Sequence, residues 1–253
     1  MCGIVAAASK FNVINILSDG LKHLEYRGYD SAGIAVIQDQ KINRYRKEGK
    51  VVELTSSLTD NINATIGIAH TRWATHGKPS EENAHPHVAE ENIAIVHNGI
   101  IENHIEIKNK FFKNTTFTSE TDSEILAHLI NHFAHKNNTL DSVHLSLQEI
   151  KGSYALAVIN KKNPGQIIVA RNGSPLLIGI GDQTNYIASD AHALIEHTNK
   201  FIYLEDGDLA TITFENVNIF DKNKNKISRE IKKSNLSLKS SSKEGYEHFM
   251  IKE

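Results

Sequence analysis

The chain has 253 residues, 40% apolar and 23% charged, an ordinary globular balance with length for one large domain or two small ones. Its 28 basic and 30 acidic side chains leave a formal net charge of −2, too weak a field to argue for nucleic acid or an anionic membrane as partner. A single cysteine excludes a disulfide framework and a multi-cysteine zinc site, so Cys2 is structural, incidental or catalytic.

The first apolar run, residues 4–8, has no basic region before it and is too short for a signal segment or a membrane span, so a cytoplasmic protein is expected. Residues 2–8 suit a buried strand. After Asn12, the apolar Val13, Ile16, Leu17, Leu21 and Leu24 fall on one helical face. Further strands are expected at 33–37, 42–46, 66–70 and 93–97. Thr121-Asp-Ser-Glu124 has the pattern of a capping box ahead of Ile125, Leu129, Ile130 and Phe133, which predicts a helix of about four turns.

The second half reads as closely spaced strands at 154–159, 167–170, 176–180, 186–188, 202–204 and 209–219, with turn signals at Asn172-Gly173, Gly181-Asp182 and Asp206-Gly207. Antiparallel meanders follow from that spacing. Helices and sheet-rich segments share the chain without strict βαβ alternation, so the class is α+β, with two sheets layered between helices. Residues 2–220 form the expected domain. From Asp221 to the end, nine basic and five acidic side chains with few large apolar residues describe a surface edge or linker.

Position two carries a chemical implication. A small residue there permits removal of the initiator methionine, which leaves Cys2 with a free α-amine whose ordinary pKa of about 7.7 to 8.0 suits a general base for its own thiol. The plainer alternative is a buried apolar cysteine. Three further segments supply what an enzyme acting on a small amino-acid amide needs. In His70-Thr-Arg-Trp-Ala-Thr-His-Gly77, Arg72 offers a planar fork of donors for a carboxylate, Thr75 and His76 add donors, and Trp73 is placed to cover the site. In His97-Asn98-Gly99, a strand ending in Asn-Gly can present a side-chain amide and a backbone N–H to a developing oxyanion, although Asn-Gly alone is more often a plain turn. In Ser119-Glu-Thr-Asp122, Asp122 can receive an ammonium group or simply compensate a helix N-terminus.

The Cys2-Gly-Ile-Val start, Tyr26-Arg-Gly-Tyr-Asp-Ser-Ala-Gly33, the two segments around Arg72 and Asn98, Asn83-Ala-His-Pro-His87 and Ser119-Glu-Thr-Asp122 together resemble the glutaminase domains of glucosamine-6-phosphate synthases, class II glutamine amidotransferases. The resemblance implies a four-layer αββα sandwich of the N-terminal-nucleophile hydrolase type and L-glutamine as substrate. By position it implies Cys2 as nucleophile, Asn98 and Gly99 as oxyanion hole, Arg72 with Thr75 and His76 on the substrate carboxylate, Asp122 on its amino group, and Trp73 as a gate. No cofactor and no metal is implied. One departure is Ala6, where the family usually has glycine. A larger one is the missing sugar-phosphate isomerase region, whose junction the terminal residues 248–253 resemble, so the chain is expected to be a separated or excised domain whose partner is that region. A homo-oligomer would form through the same missing region.

Rival readings are an amidotransferase domain of purine or asparagine biosynthesis, a zinc site drawn from the 14 histidines, and an interaction domain that has lost activity. The Arg-Gly-Tyr-Asp-Ser-Ala-Gly and Arg-Trp-Ala-Thr-His-Gly segments favour the sugar synthases over the first. No His-Glu-x-x-His pattern supports the second, and the intact motifs oppose the third.

Overall fold

The computed structural model describes residues 2–74 and 77–234; Met1, Thr75, His76 and residues 235–253, with the junction-like end, lie outside the described residues. In chain order the elements are β1 (Gly3–Ser9), α1 (Ile14–Leu24), β2 (Ser31–Gln38), β3 (Lys41–Glu48), α2 (Val51–Ser57), β4 (Ile66–Arg72), β5 (His87–Ala89), β6 (Ile93–Ile101), α3 (His104–Phe111), α4 (Asp122–Ala134) and α5 (Thr139–Glu149). Strands then dominate: β7 (Gly152–Asn160), β8 (Asn163–Asn172), β9 (Leu177–Ile180), β10 (Thr184–Ala188), β11 (Lys200–Tyr203), β12 (Leu209–Ile212), β13 (Val217–Phe220), β14 (Lys226–Ile227) and β15 (Lys232–Lys233).

One sheet runs β15-β11-β9-β10-β1-β4-β2-β3 and the other β14-β13-β12-β8-β7-β6-β5. Every strand pairing is antiparallel. Because strand side chains alternate in direction, a strand covered on both sides must be apolar on both. That is the case for β1. Its Ile4, Ala6 and Ala8 enter the core between the sheets, while Val5 and Ala7 pack under the helices that carry Leu17, Leu21 and Leu54. A third apolar cluster joins β6, β7 and β8 to Ile107, Ile125, Leu129, Ile130 and Val143 of α3, α4 and α5. The four layers are therefore helix, sheet, sheet, helix, the αββα arrangement that the resemblance implies.

The α1 stripe is as the spacing predicts, with Leu17, Leu21 and Leu24 buried. In α4 the Thr121 hydroxyl accepts from the Glu124 N–H at 3.3 Å, but the Glu124 carboxylate reaches past Thr121 to the N–H groups of Thr118 (2.8 Å) and Ser119 (2.6 Å). The box is thus spread over the preceding loop, which it ties to the helix. The stretch 209–219 is two strands rather than one, closed by a turn in which the Thr213 N–H donates to the Asn216 carbonyl at 2.9 Å. Beyond Asp221, β14 and β15 each extend one sheet edge, anchored where Arg229 donates to both oxygens of the buried Asp208 at 3.0 and 2.8 Å.

Three helices escape the apolar-period reading. Of these, α3 buries only Ile107, and α5 buries Thr139, Ser142, Val143 and Ser146, a face that is mostly hydroxyl. Ser142 donates to the Asn138 carbonyl at 2.6 Å and Ser146 to the Ser142 carbonyl at 2.8 Å, so these polar groups enter the interior satisfied by their own helix. The short α2 buries Val51 and Leu54.

Candidate active site

Four elements end at the same place: the start of β1, the end of β4, the outer part of β6 and the first turn of α4. Cys2, Arg72, Trp73, Asn98, Gly99 and Asp122 from these elements line one cavity of about 40 Å³, together with His85, His97, Thr121 and Ser123. That is room for about one water molecule. A groove of about 640 Å³ lies elsewhere, between Gln40–Asn43, Glu91 and Lys161–Lys162, away from the Cys2 thiol.

The half-buried Cys2 sulfur accepts a hydrogen bond from the Trp73 N–H at 3.2 Å. Burial pushes the Cys2 thiol up from its ordinary range, while the Trp73 N–H and the Arg72 charge act in the opposite direction. The backbone that supplies this donor is held in place by the Tyr26-to-Gly33 segment. The Asp30 carboxylate accepts from the Ala74 N–H at 2.7 Å, and the Asp30 N–H donates to the Arg72 carbonyl at 3.1 Å. Gly28 is required for this approach, since a Cβ there would sit 2.7 Å from the Arg72 carbonyl carbon. The edge of the Tyr29 ring meets Trp73 at 5.4 Å between centroids, and both rings are half exposed at the mouth.

Asn98 and Gly99 lie inside β6 rather than at its end, which rules out the hairpin-turn alternative for this Asn-Gly pair. Gly99 has φ +128°, and a Cβ there would come within 2.0 Å of the Ser153 carbonyl oxygen, so only glycine fits. Asn98 gives its Nδ2 hydrogen to the Cys2 carbonyl at 3.0 Å and pairs through Oδ1 with His70 Nε2 at 2.8 Å. Asp122 opens α4 and lines the cavity, so helix-end placement and a ligand role are compatible. Its Oδ2 accepts from the Ile101 N–H at 2.6 Å. Arg72 is buried and donates to the carbonyls of Gly77 (3.3 Å) and Lys78 (3.4 Å); burial lowers its pKa, and the charges of Cys2, Asp30 and Asp122 raise it. Thr75 and His76 lie outside the described residues.

The histidines are the part that sequence reasoning left undivided. Burial pulls His70 down to about 3, and it also lowers His85, His87 and His97, so the four rings are neutral at physiological pH. The His97 Nδ1 pairs with the Ser123 hydroxyl at 2.8 Å, and His87 Nε2 with that of Thr121 at 3.0 Å. His70 and His85 stack at 4.2 Å and His85 meets His87 at 4.6 Å, ring against ring. Among the described residues, no group of three or more His, Cys, Asp or Glu side chains is placed to hold a metal ion. The functional roles of Gly28 and Asp30 were legible only as parts of a motif, because the backbone they support is distant in sequence.

Residues 70–196 match the glutamine amidotransferase domain family. The glutamine–fructose-6-phosphate aminotransferase of Shewanella oneidensis is 47% identical over 256 positions, spanning all of this chain and 42% of that protein. The protein of the same name from Francisella tularensis is 49% identical over 258 positions, again across the whole chain and 42% of the relative. The chain thus spans less than half the length of these curated relatives. Among solved structures, glutamine phosphoribosylpyrophosphate amidotransferase from B. subtilis superposes with a TM-score of 0.76 at 25% identity, covering 89% of this chain and 50% of that one. A cysteine at the head of a central strand, a fold shared with a solved amidotransferase and a family match over residues 70–196 agree: this chain belongs to the glutamine amidotransferase domain family.

Proposed function

We propose that this chain is the glutamine-hydrolysing part of a longer enzyme that converts fructose 6-phosphate to glucosamine 6-phosphate. The observation that carries this reading is the convergence of Cys2, Arg72, Asn98, Gly99 and Asp122 from four separate elements on one cavity. Residues 2–220 form the glutaminase unit, and 221–253 form its edge and the start of a link to a sugar-phosphate isomerase region. That region is the partner, and any homo-oligomer forms through it. No helix among the described residues is long and apolar enough to cross a membrane, and a cytoplasmic enzyme fits this chemistry.

In this mechanism the Cys2 thiolate adds to the glutamine side-chain amide, and the Asn98 amide with the Gly99 N–H stabilises the oxyanion. Arg72, helped by Thr75 and His76, clamps the α-carboxylate, and Asp122 receives the α-ammonium. The α-amine of Cys2 takes the thiol proton and returns it to the departing ammonia. Water, activated by the same amine, then opens the γ-glutamyl thioester and releases glutamate. Neither His70 nor His97 is a suitable base, since burial makes each ring resist protonation and its side-chain partner is Asn98 or Ser123 rather than Cys2.

The test is ammonia release from L-glutamine by the purified chain with an authentic Cys2 terminus, with and without chelator. Turnover that survives chelation and disappears on alkylation of Cys2 is the expected result. A requirement for added zinc or ATP would overturn the mechanism.

A further inference from the structure

His70 has no part in the chemistry above, yet it occupies the inter-sheet face of β4 two residues before Arg72 and is 1% exposed. Its Nε2 lies 2.8 Å from Asn98 Oδ1, while Asn98 Nδ2 donates to the Cys2 carbonyl at 3.0 Å. A primary amide has an oxygen end that only accepts and a nitrogen end that only donates. With the nitrogen end spent toward Cys2, the oxygen end faces His70, and only a protonated Nε2 completes that contact. The ring therefore carries its hydrogen on Nε2 and a bare lone pair on Nδ1, which has no hydrogen-bond partner. His85, stacked on the ring at 4.2 Å with an interplanar angle of 31°, holds it in this orientation.

We propose that His70, as the neutral Nε2–H tautomer, is a positioning residue that fixes the Asn98 amide with its NH2 toward Cys2 before substrate arrives. This rests on the reading of Asn98 as an oxyanion donor. A flipped amide would set its oxygen against the Cys2 carbonyl and present an acceptor where the oxyanion forms, and it could keep the His70 contact only if the ring moved its hydrogen to Nδ1, a buried atom with no hydrogen-bond partner to receive it. Preorientation matters because the donor then needs no rearrangement as charge develops. The ring stays neutral because burial opposes protonation more than the Asn98 side chain and the His97 backbone favour it, and the charged or titratable groups facing it, Arg72, His85 and His97, add no negative charge.

The test is steady-state glutaminase kinetics of His70→Phe, His70→Gln, Asn98→Ala and the His70→Phe/Asn98→Ala double variant, with nitrogen NMR of the His70 ring in the unaltered protein. His70→Phe is expected to lower kcat about tenfold with KM within about twofold. His70→Gln, which keeps an N–H near the same place, recovers to within about threefold of the unaltered rate. Once Asn98 is alanine, removing His70 costs less than about twofold, because the amide it orients is gone. NMR is expected to show protonated Nε2 and bare Nδ1 from about pH 5 to about pH 8. Equal losses from His70→Phe in both backgrounds, a raised KM at constant kcat, or a hydrogen on Nδ1 would overturn the proposal. If Asn98→Ala keeps full kcat, the oxyanion reading itself falls. If Asn98→Ala is crippled and His70→Phe is not, only the positioning role falls. Should His70→Phe fail to fold, the ring tautomer and His70→Gln decide.

Discussion

On β4, Ile66 and Ile68 pack between the sheets, and the same face continues through His70 to Arg72; on β6, Ala94 and Val96 lead to Asn98; on β1, Ala8, Ala6 and Ile4 lead back to Cys2. The inter-sheet core and the reactive end are thus two stretches of the same strand faces. In the core each side chain is satisfied by contact with whatever apolar neighbour is near. At the cysteine end each polar atom needs a particular partner, and those partners come from other elements: His70 of β4 for Asn98, Ser123 of α4 for His97, Ile101 of β6 for Asp122. The difference teaches that the packed core acts as a ruler. It sets strand register and seats one sheet against the other and α4 against β6, and these together decide which polar groups meet.

Blocking the α-amine of Cys2, by retained methionine or a tag, should break the reactive end while leaving the core untouched. The amine becomes a peptide N–H that cannot accept a proton, and general-base assistance is worth about 100-fold to 10,000-fold. Turnover of blocked and free forms, each verified by mass spectrometry, checks this; equal rates would remove the amine from the mechanism. Asn98→Ala comes next, with an expected fall in kcat of about 100-fold to 1,000-fold beside a cost of only about 1 to 3 kcal/mol of stability from the unpaired His70 N–H, read by parallel kinetics and thermal scans. Two strand positions before His70, Ile68→Ala should do the reverse. It should cost about 2 to 5 kcal/mol of stability in denaturant titrations and leave the activity of the folded fraction near that of the unaltered protein.

A smaller and more diagnostic effect concerns pH. His70 has its folded pKa near 3, below the unfolded value of about 6.5, so the unfolded chain binds the extra proton between these values. Its contribution to stability is therefore complete above the unfolded pKa and is lost as pH falls toward the folded one. Stability should drop on acidification from about pH 7 to about pH 5, and His70→Phe should flatten the slope by up to about 1.4 kcal/mol per pH unit. Denaturant midpoints at a series of pH values measure this. An unchanged slope would mean that the ring is not held neutral, and the contrast between the two regions would lose its electrostatic half.

Much of this was legible from the chain alone, because the signals are local. A short apolar run marks β1 and β4, the 3.6-residue period marks α1, and Thr121 with Glu124 marks the start of α4; each depends on residues within a turn or a strand of one another. The motif resemblance placed Cys2, Arg72, Asn98 and Asp122 together in one site. Helix α5 stayed hidden because its buried face is Thr139, Ser142, Val143 and Ser146, where the hydroxyls of Ser142 and Ser146 are satisfied within the helix and that of Thr139 by Asn160, leaving too few apolar side chains to mark a period. The histidines stayed undivided for a related reason. A histidine carries the same composition signal whether it holds a metal, titrates, or points one hydrogen at an amide. Sequence by itself determined which strands and helices the chain can form and which side chains face one way along them. Only the tertiary structure decided that His70, 28 residues before Asn98, orients that amide, and that Asp30 holds the backbone beside Cys2, because the first hydrogen bond exists only once the two sheets pack face to face and the second only once the antiparallel pairing of β2 with β4 brings Asp30 beside Ala74.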